Sequence, residues 1–313
     1  MRAPDFWTAG GPLATLLAPL GRLYGASVAW KAARARPFDP GVPVICVGNL
    51  TAGGSGKTPI AIAIAKTLMA RGSRPWFLTR GYGGSEKGPV QATRMHSAAQ
   101  MGDEALLLTR AAPTIVARDR AAGAQAAVKK GADVIVMDDG HQNFTLRKTL
   151  SLVVVDGASG FGNGRMIPAG PLRETVSRGL ARADGVIIMG DGAPDLQGYG
   201  GVVLRARLVA EGDTFADSPV FAFAGIGRPE KFVASLRESS AEVIGSCFFP
   251  DHHPYAPGEI AQLKAIAGQA RLVTTEKDFV RLSPQDREGI RVLKVRARFE
   301  DEAALARLLE RAV

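Results

Sequence analysis

The chain has 313 residues, 46% of them hydrophobic, and carries 39 Lys and Arg against 30 Asp and Glu for a formal charge of +9. That is apolar mass for one large or two modest domains, and we take two. The positive balance favours anionic partners such as phosphorylated ligands or acidic lipid surfaces, while scattered basic residues with only 4 Tyr and 3 Trp argue against nucleic acid.

The chain opens Met-Arg-Ala-Pro-Asp, without an apolar core and small-residue cleavage site, so neither a cleavable signal nor a spanning segment is expected. Leu13, Leu16, Leu17, Leu20, Leu23 and Tyr24 recur at helical spacing, flanked by Phe6, Trp7 and Trp30 and followed by Arg22, Lys31, Arg34 and Arg36. This pattern predicts an amphipathic helix within residues 1–36 that lies on a membrane surface, or else packs on the core; Gly10, Gly11, Gly21 and Gly25 weaken it either way. Next comes a β-branched run from Val44, the turn Thr51-Ala-Gly-Gly-Ser-Gly56, then Lys57-Thr58-Pro59 and an apolar helix over Ile60–Met69. Apolar runs at Trp76–Thr79, Thr114–Ala117, Val134–Met137, Leu152–Val155 and Val186–Met189 alternate with Ala-rich helical stretches. That alternation predicts an α/β fold with a parallel sheet covered on both faces. Val202–Leu208 leads into the polar stretch Ala210–Ser218, where we place a joint between a core of residues 37–208 and a smaller α/β lobe of residues 209–313. The lobe should hold strands near Val220–Ala224, Glu242–Ile244, Leu272–Thr275 and Val292–Val295, and helices near Pro229–Glu238, Pro257–Ala267 and Glu302–Arg311. Cys46 and Cys247 stand far apart in no metal-like spacing, as suits a reducing compartment such as the cytosol.

The turn after the first strand carries the strongest chemical pattern. Glycines 53, 54 and 56 permit left-handed turns that aim backbone N–H groups inward, at the positive end of the following helix. Thr51, Ala52, Gly53, Gly54, Ser55, Gly56, Lys57 and Thr58 are thus expected to bind a nucleotide triphosphate, with Lys57 on the β- and γ-phosphates and the Thr58 hydroxyl on Mg²⁺. The usual G-x-x-x-x-G-K-[ST] template wants Gly where Thr51 stands, so this is an atypical phosphate loop. Asp138 and Asp139 end an apolar strand about eighty residues on, where a carboxylate can hold Mg²⁺; Asp-Asp-Gly is also ordinary turn chemistry. Gly102-Asp103-Glu104 reads first as a helix start and second as a general base. Arg80 and the pair Arg118 and Arg120 follow strands on the phosphate-loop edge, as either phosphate contacts or solvated charges. Asp251-His252-His253 lacks further ligands for zinc, and one histidine closing on the site from the second lobe fits better. Thr275-Glu-Lys-Asp278 has its lysine misplaced for a guanine-reading motif, which leaves an ATP-dependent transferase or ligase.

In order along the chain, Val47–Pro59, Thr79–Gly84, Gly102–Glu104, Arg118–Arg120, Asp138–Gly140, Gly170–Glu174, Phe223–Gly227, Phe249–His252 and Thr274–Asp278 resemble the tetraacyldisaccharide 4'-kinase family of lipid A biosynthesis. The resemblance implies two α/β/α lobes joined by a strand linker. It also implies Mg-ATP-dependent phosphorylation of the 4'-hydroxyl of a tetraacylated glucosamine disaccharide 1-phosphate, giving the 1,4'-bisphosphate at the cytoplasmic face of the bacterial inner membrane. Carried over by position, it makes Asp103 the base, His252 its partner, Lys57 and Asp139 catalytic, and Asp138 and Asp139 the Mg²⁺ region. Asn49, Arg80, Arg118 and Arg173 become substrate contacts, and no obligate protein partner is implied. The family's Asp-Asp-Gly-Phe-Gln-His run is Asp138-Asp-Gly-His-Gln-Asn143 here, so the role of the family's histidine falls open to His141 or Asn143. A phosphate-loop ligase and a non-catalytic, nucleotide-gated membrane adaptor are the alternatives.

Overall fold

The computed structural model describes residues 4–212, 215–216 and 218–313. Two helices, α1 (Phe6–Ala9) and α2 (Pro12–Arg34), precede β1 (Val44–Gly48) and α3 (Lys57–Ala70). Then follow β2 (Pro75–Thr79), β3 (Val90–Ala92), α4 (Ala98–Met101), α5 (Asp103–Leu108), β4 (Thr114–Val116), α6 (Arg120–Lys129) and β5 (Val134–Asp138). The middle of the chain supplies β6 (Leu150–Asp156), α7 (Val176–Leu180), β7 (Gly185–Met189) and β8 (Val202–Glu211). The last third holds β9 (Val220–Ala224), α8 (Pro229–Glu238), β10 (Val243–Phe248), α9 (Glu259–Ala267), β11 (Arg271–Thr275), α10 (Glu276–Phe279), β12 (Arg291–Phe299) and α11 (Glu302–Leu309).

Among the described residues twelve strands form one sheet in the order β10-β9-β11-β12-β8-β7-β6-β1-β5-β2-β4-β3. Pairing is parallel except at β3 with β4 and at β8 with β12. The β8–β12 seam sets the shape of the molecule. β7 pairs the first half of β8, Val202–Ala206, whereas β11 pairs the first residues of β12, Arg291–Leu293. In the antiparallel register Lys294 meets Glu211 and Phe299 meets Ala206, so β11 and its neighbours sit beyond the C-terminal end of β8 and run back toward it. Two parallel blocks thereby turn their C-terminal edges toward each other. Ligands of parallel α/β sheets bind outside those edges, and here both edges line one cleft.

Position 208/209 falls inside β8, and Ala210 and Glu211 of the polar stretch still pair with Val295 and Lys294. Residues 213, 214 and 217 of that stretch lie outside the described residues, as do residues 1–3 of the N-terminal segment. The central strands β1, β5, β6 and β7 are buried along their whole length, as strands covered by helices on both faces must be. On one face Ile60, Ile64 and Leu68 of α3 pack at helical spacing under β1 and β5, in a core shared with Leu305, Leu308 and Leu309 of α11. β10 runs four residues past the expected Ile244, because Gly245 lets the edge strand ride over Phe221, whose ring a Cβ would meet at 2.7 Å.

The helix α2 contradicts the expectation that its glycines only weaken it. Gly21 and Gly25 are buried with Ala14 on the face that docks to the body. A Cβ at Gly21 would lie 2.7 Å from the Met166 carbonyl oxygen, and Met166 Sδ occupies the space above Gly25. Close approach is what the glycines provide. The leucines point the other way: Leu13, Leu16, Leu20 and Leu23 are all at least half exposed, with Trp30 beyond them and the Arg34 guanidinium 4.5 Å from its ring. No described helix is long and apolar enough to cross a membrane.

Candidate active site

β1 delivers the chain into the cleft at Asn49, which is fully buried and donates from Nδ2 to Ser55 Oγ at 3.0 Å, tying the two ends of the loop together. Thr51 forms an isolated bridge with Leu172, and the Ala52 N–H donates to the Pro171 carbonyl at 2.8 Å. This explains the departure from the Gly template: Thr51 is pinned as extended backbone against a neighbouring segment and needs no left-handed turn. Gly53 and Gly56 do take positive φ, +118° and +85°. Gly54 does not, correcting the expectation that all three glycines serve that purpose. No side chain caps the α3 N-terminus that Gly56 opens, so its first N–H groups and dipole remain available to an anion.

Asp138 ends β5 beside Thr58, whose hydroxyl donates to Asp138 Oδ2 at 3.0 Å. Asp138 is buried, and its Oδ1 has no hydrogen-bond partner. Burial pushes this carboxyl up to about 7, with the Glu104 and Asp139 carboxylates adding to the rise against Lys57 and Thr58. A buried hydroxyl and a carboxylate with a vacant lone pair are hard oxygen donors that fit Mg²⁺. Asp139, at φ +52°, instead faces cations: Arg173 donates to its Oδ1 at 2.8 Å and Lys57 Nζ lies 3.7 Å away. Burial raises this carboxyl, but Lys57 and Arg173 outweigh it and hold it below the usual carboxylate range.

Across the cleft, the loops after β9, β10 and β11 converge on Asp103 at the start of α5. Asp103 is buried, with Oδ1 accepting from the Glu104 N–H at 2.9 Å. Its Oδ2 meets His252 Nδ1 at 3.1 Å, Arg281 Nε at 3.0 Å and a second, closer Arg281 nitrogen. Burial opposes ionisation, yet His252, Lys277 and Arg281 together hold the carboxyl well below its ordinary range. His252 sits at φ +61°, a conformation that costs a non-glycine residue about 1 kcal/mol or more and that clusters at functional positions. The fold thus brings together Asp103 and His252, which are far apart in sequence.

The remaining expectations divide. Arg173 joins Asp139, and Asn49 braces the loop from within. Arg80 and Arg118 are exposed, and it is Arg120 that turns inward. Asp119 caps α6 through its side chain, which starts the helix at Arg120 and directs that residue into the body. Arg120 is buried, donates to the Ala117 carbonyl and leaves Nε without a partner. Burial lowers its guanidinium to about 10, helped by Arg80 and opposed by Asp139 and Asp138, so it stands within electrostatic reach of both acids. His141 is sealed behind β1, with Nδ1 3.0 Å from Ser151 Oγ and Nε2 2.9 Å from the Gly179 carbonyl; burial pushes it down to about 3. Asn143 closes a local turn through Leu146 N–H and Thr145. Both side chains are thus engaged in holding local structure. Glu104 and Lys277 stand out in sequence only as members of the Gly102–Glu104 and Thr275–Asp278 motifs, and nothing local marks Arg281, which follows the turn that Asp278 anchors.

Comparison with known proteins identifies the family. The sequence profile described as tetraacyldisaccharide-1-P 4'-kinase matches residues 13–313. The tetraacyldisaccharide 4'-kinase of Paramagnetospirillum magneticum is 51% identical over 99% of this chain and 98% of its own length. That of Rhodospirillum rubrum is 47% identical over 100% and 98%. A crystal structure of LpxK from Aquifex aeolicus in complex with ATP superposes with a TM-score of 0.78 at 25% identity, covering 96% of this chain and 99% of that one. The fold is that of a phosphate-loop kinase, and the chain belongs to the tetraacyldisaccharide 4'-kinase family.

Proposed function

We propose that this protein transfers the γ-phosphoryl group of ATP to the 4'-hydroxyl of a tetraacyldisaccharide 1-phosphate, forming the 1,4'-bisphosphate. The observation that carries the assignment is the cleft itself: a phosphate loop with Lys57 and Thr58 on one edge faces the Asp103–His252 pair assembled with loops of the other. Residues Thr51 to Thr58 hold the triphosphate through backbone N–H groups, the α3 N-terminus and Lys57. Thr58 and Asp138, with Asp139 nearby, are the groups that would hold Mg²⁺, whose charge neutralises the phosphate oxygens.

Asp103 accepts the proton of the attacking hydroxyl. A carboxylate held so acidic is a weak base toward a free alcohol, so the proton moves late, once bonding to phosphorus has acidified the hydroxyl. His252 and Arg281 fix the carboxylate's direction. Lys57, Arg173 and Arg120 supply the positive field around Asp139 and the transferring group, with Arg80 and Arg118 toward the acceptor, while Asn49 holds the loop's shape from within. Residues 37–208 and 209–313 act as two lobes, and their approach excludes water so that ATP is not hydrolysed.

The exposed leucine stripe of α2, with Trp30 and the basic residues near its end, docks the enzyme on the cytoplasmic face of the inner membrane, where an acylated acceptor resides. The test is transfer of labelled γ-phosphate from Mg-ATP to the disaccharide lipid in detergent micelles, with Lys57→Ala as control. Lipid labelling lost in the variant supports the assignment. Nucleotide binding with no labelled lipid would return the protein to the ligase or adaptor class.

A further inference from the structure

Lys277 rides on a rigid platform. The next residue, Asp278, is fully buried and accepts from the Gly225 N–H at 2.8 Å, Tyr255 OH at 2.9 Å, Thr275 Oγ1 at 2.6 Å and Arg281 at 3.0 Å. From this base Lys277 Nζ reaches His252 Nε2 at 3.3 Å, Glu104 Oε1 at 3.5 Å and Asp103 Oδ2 at 4.0 Å. An ammonium has only protons to offer, so this approach uses the Nε2 lone pair and leaves the ring proton on Nδ1, facing Asp103 3.1 Å away. There is a competitor. Asp251 Oδ1 is buried without a hydrogen-bond partner 3.8 Å from the same Nε2, and it would draw a proton onto that nitrogen. Tyr82 closes the remaining side, with its ring edge-on to the imidazole at 5.7 Å.

We propose that Lys277 is a positioning residue of the transfer reaction: by donating into His252 Nε2 it keeps the imidazole in the form that gives its Nδ1–H to Asp103, against the pull of Asp251. This rests on the kinase assignment above. Without Lys277 the proton shifts to the Asp251 side, the Nδ1 lone pair turns on the Asp103 carboxylate, and the base loses its alignment with the acceptor.

The experiment is nitrogen NMR of the full-length protein labelled in histidine, in micelles, with the His252 signals assigned by their loss in His252→Gln. In the wild type, Nδ1 should read as protonated and Nε2 as bare. In Lys277→Met, Nε2 should become protonated, and adding Asp251→Asn should reverse that. In parallel, Lys277→Met should lower kcat about 10²-fold with KM for ATP within about twofold, and Lys277→Arg should restore most of the rate. A wild-type ring protonated on Nε2, or a Lys277→Met ring identical to wild type, would overturn the proposal. The NMR result does not depend on the acceptor. Failure of wild-type protein to label lipid, with the ring signals as expected, would strike the kinase assignment and leave only the hold of Lys277 on the His252 ring; expected labelling with the wrong ring signals would strike the proposal alone.

Discussion

In the free protein the burial of the Asp138 carboxyl outweighs its Thr58 hydrogen bond and the nearby Lys57, and replacing it with asparagine should make the fold more stable. The carboxyl is buried with one oxygen unpartnered, and its proton is held up to about 7 against an ordinary 3.8. Between those two values the folded chain keeps a proton that the unfolded chain has released, so stability falls as pH rises through that window. At about 1.4 kcal/mol per unit of pKa the full penalty is about 4 kcal/mol, and water admitted to the ionised group reduces it to about 2–4 kcal/mol. The asparagine amide does not titrate and keeps the shape of the carboxyl it replaces. The assay is urea unfolding of wild type and Asp138→Asn without Mg²⁺ or ATP, from about pH 4 to about pH 8. Comparing the two proteins cancels groups with opposite slopes, such as His141 and Asp103. The variant should gain on wild type as pH rises and lead by about 2–4 kcal/mol at the alkaline end, while losing phosphoryl transfer. A difference independent of pH, or a variant less stable than wild type at about pH 8, would refute the reasoning.

Other predictions follow from the same geometry. His141→Ala strands Ser151 Oγ and the Gly179 carbonyl and should cost about 2–4 kcal/mol, while turnover per folded molecule stays at the wild-type level; a turnover loss of tenfold or more would return His141 to the chemistry. Because the folded His141 ring resists protonation down to about 3, its contribution to stability is present above about pH 6.5 and is lost as pH falls below it, a slope that His141→Ala should remove in acid titrations of the unfolding midpoint. Replacing Leu16, Leu20 and Leu23 together by Gln should weaken sedimentation with anionic vesicles by about 10²-fold or more, at about 1.5–3 kcal/mol per leucine, and undiminished sedimentation would remove α2 as the docking surface. Lys57→Met should lower kcat by about 10²–10³-fold in the transfer assay, and near-normal turnover would displace the phosphate loop from the mechanism.

The parallel core was legible because strands buried on both faces are continuous apolar runs; β5, β6 and β7 fall where those runs do. Asn49 to Thr58 was legible because glycine and lysine chemistry at a strand end is local. What sequence did not reveal is set by pairing at a distance. The facing of the two C-terminal edges depends on the register of β8 against β12, where Lys294 meets Glu211, and no local pattern encodes that offset. Which of Arg118 and Arg120 turns inward is decided by the cap at Asp119, and that depends on where α6 begins. Gly21 and Gly25 looked like defects in a helix because Met166, the residue they accommodate, is more than 140 positions away. Arg281 escaped notice for the same reason: its partner Asp103 lies 178 residues earlier.

The central claim is that Asp103, oriented by His252, takes the proton of a 4'-hydroxyl as phosphate leaves the Lys57 loop. The most direct measurement is steady-state transfer from Mg-ATP to the tetraacyldisaccharide 1-phosphate by wild type and Asp103→Asn, with the position of the new phosphate read by phosphorus–proton correlation NMR. The account predicts a single new phosphomonoester at the 4' carbon, and a kcat for Asp103→Asn lower by about 10²–10⁴-fold with KM for ATP little changed. Phosphate on another hydroxyl, or an Asp103→Asn enzyme turning over within a few-fold of wild type, would contradict it.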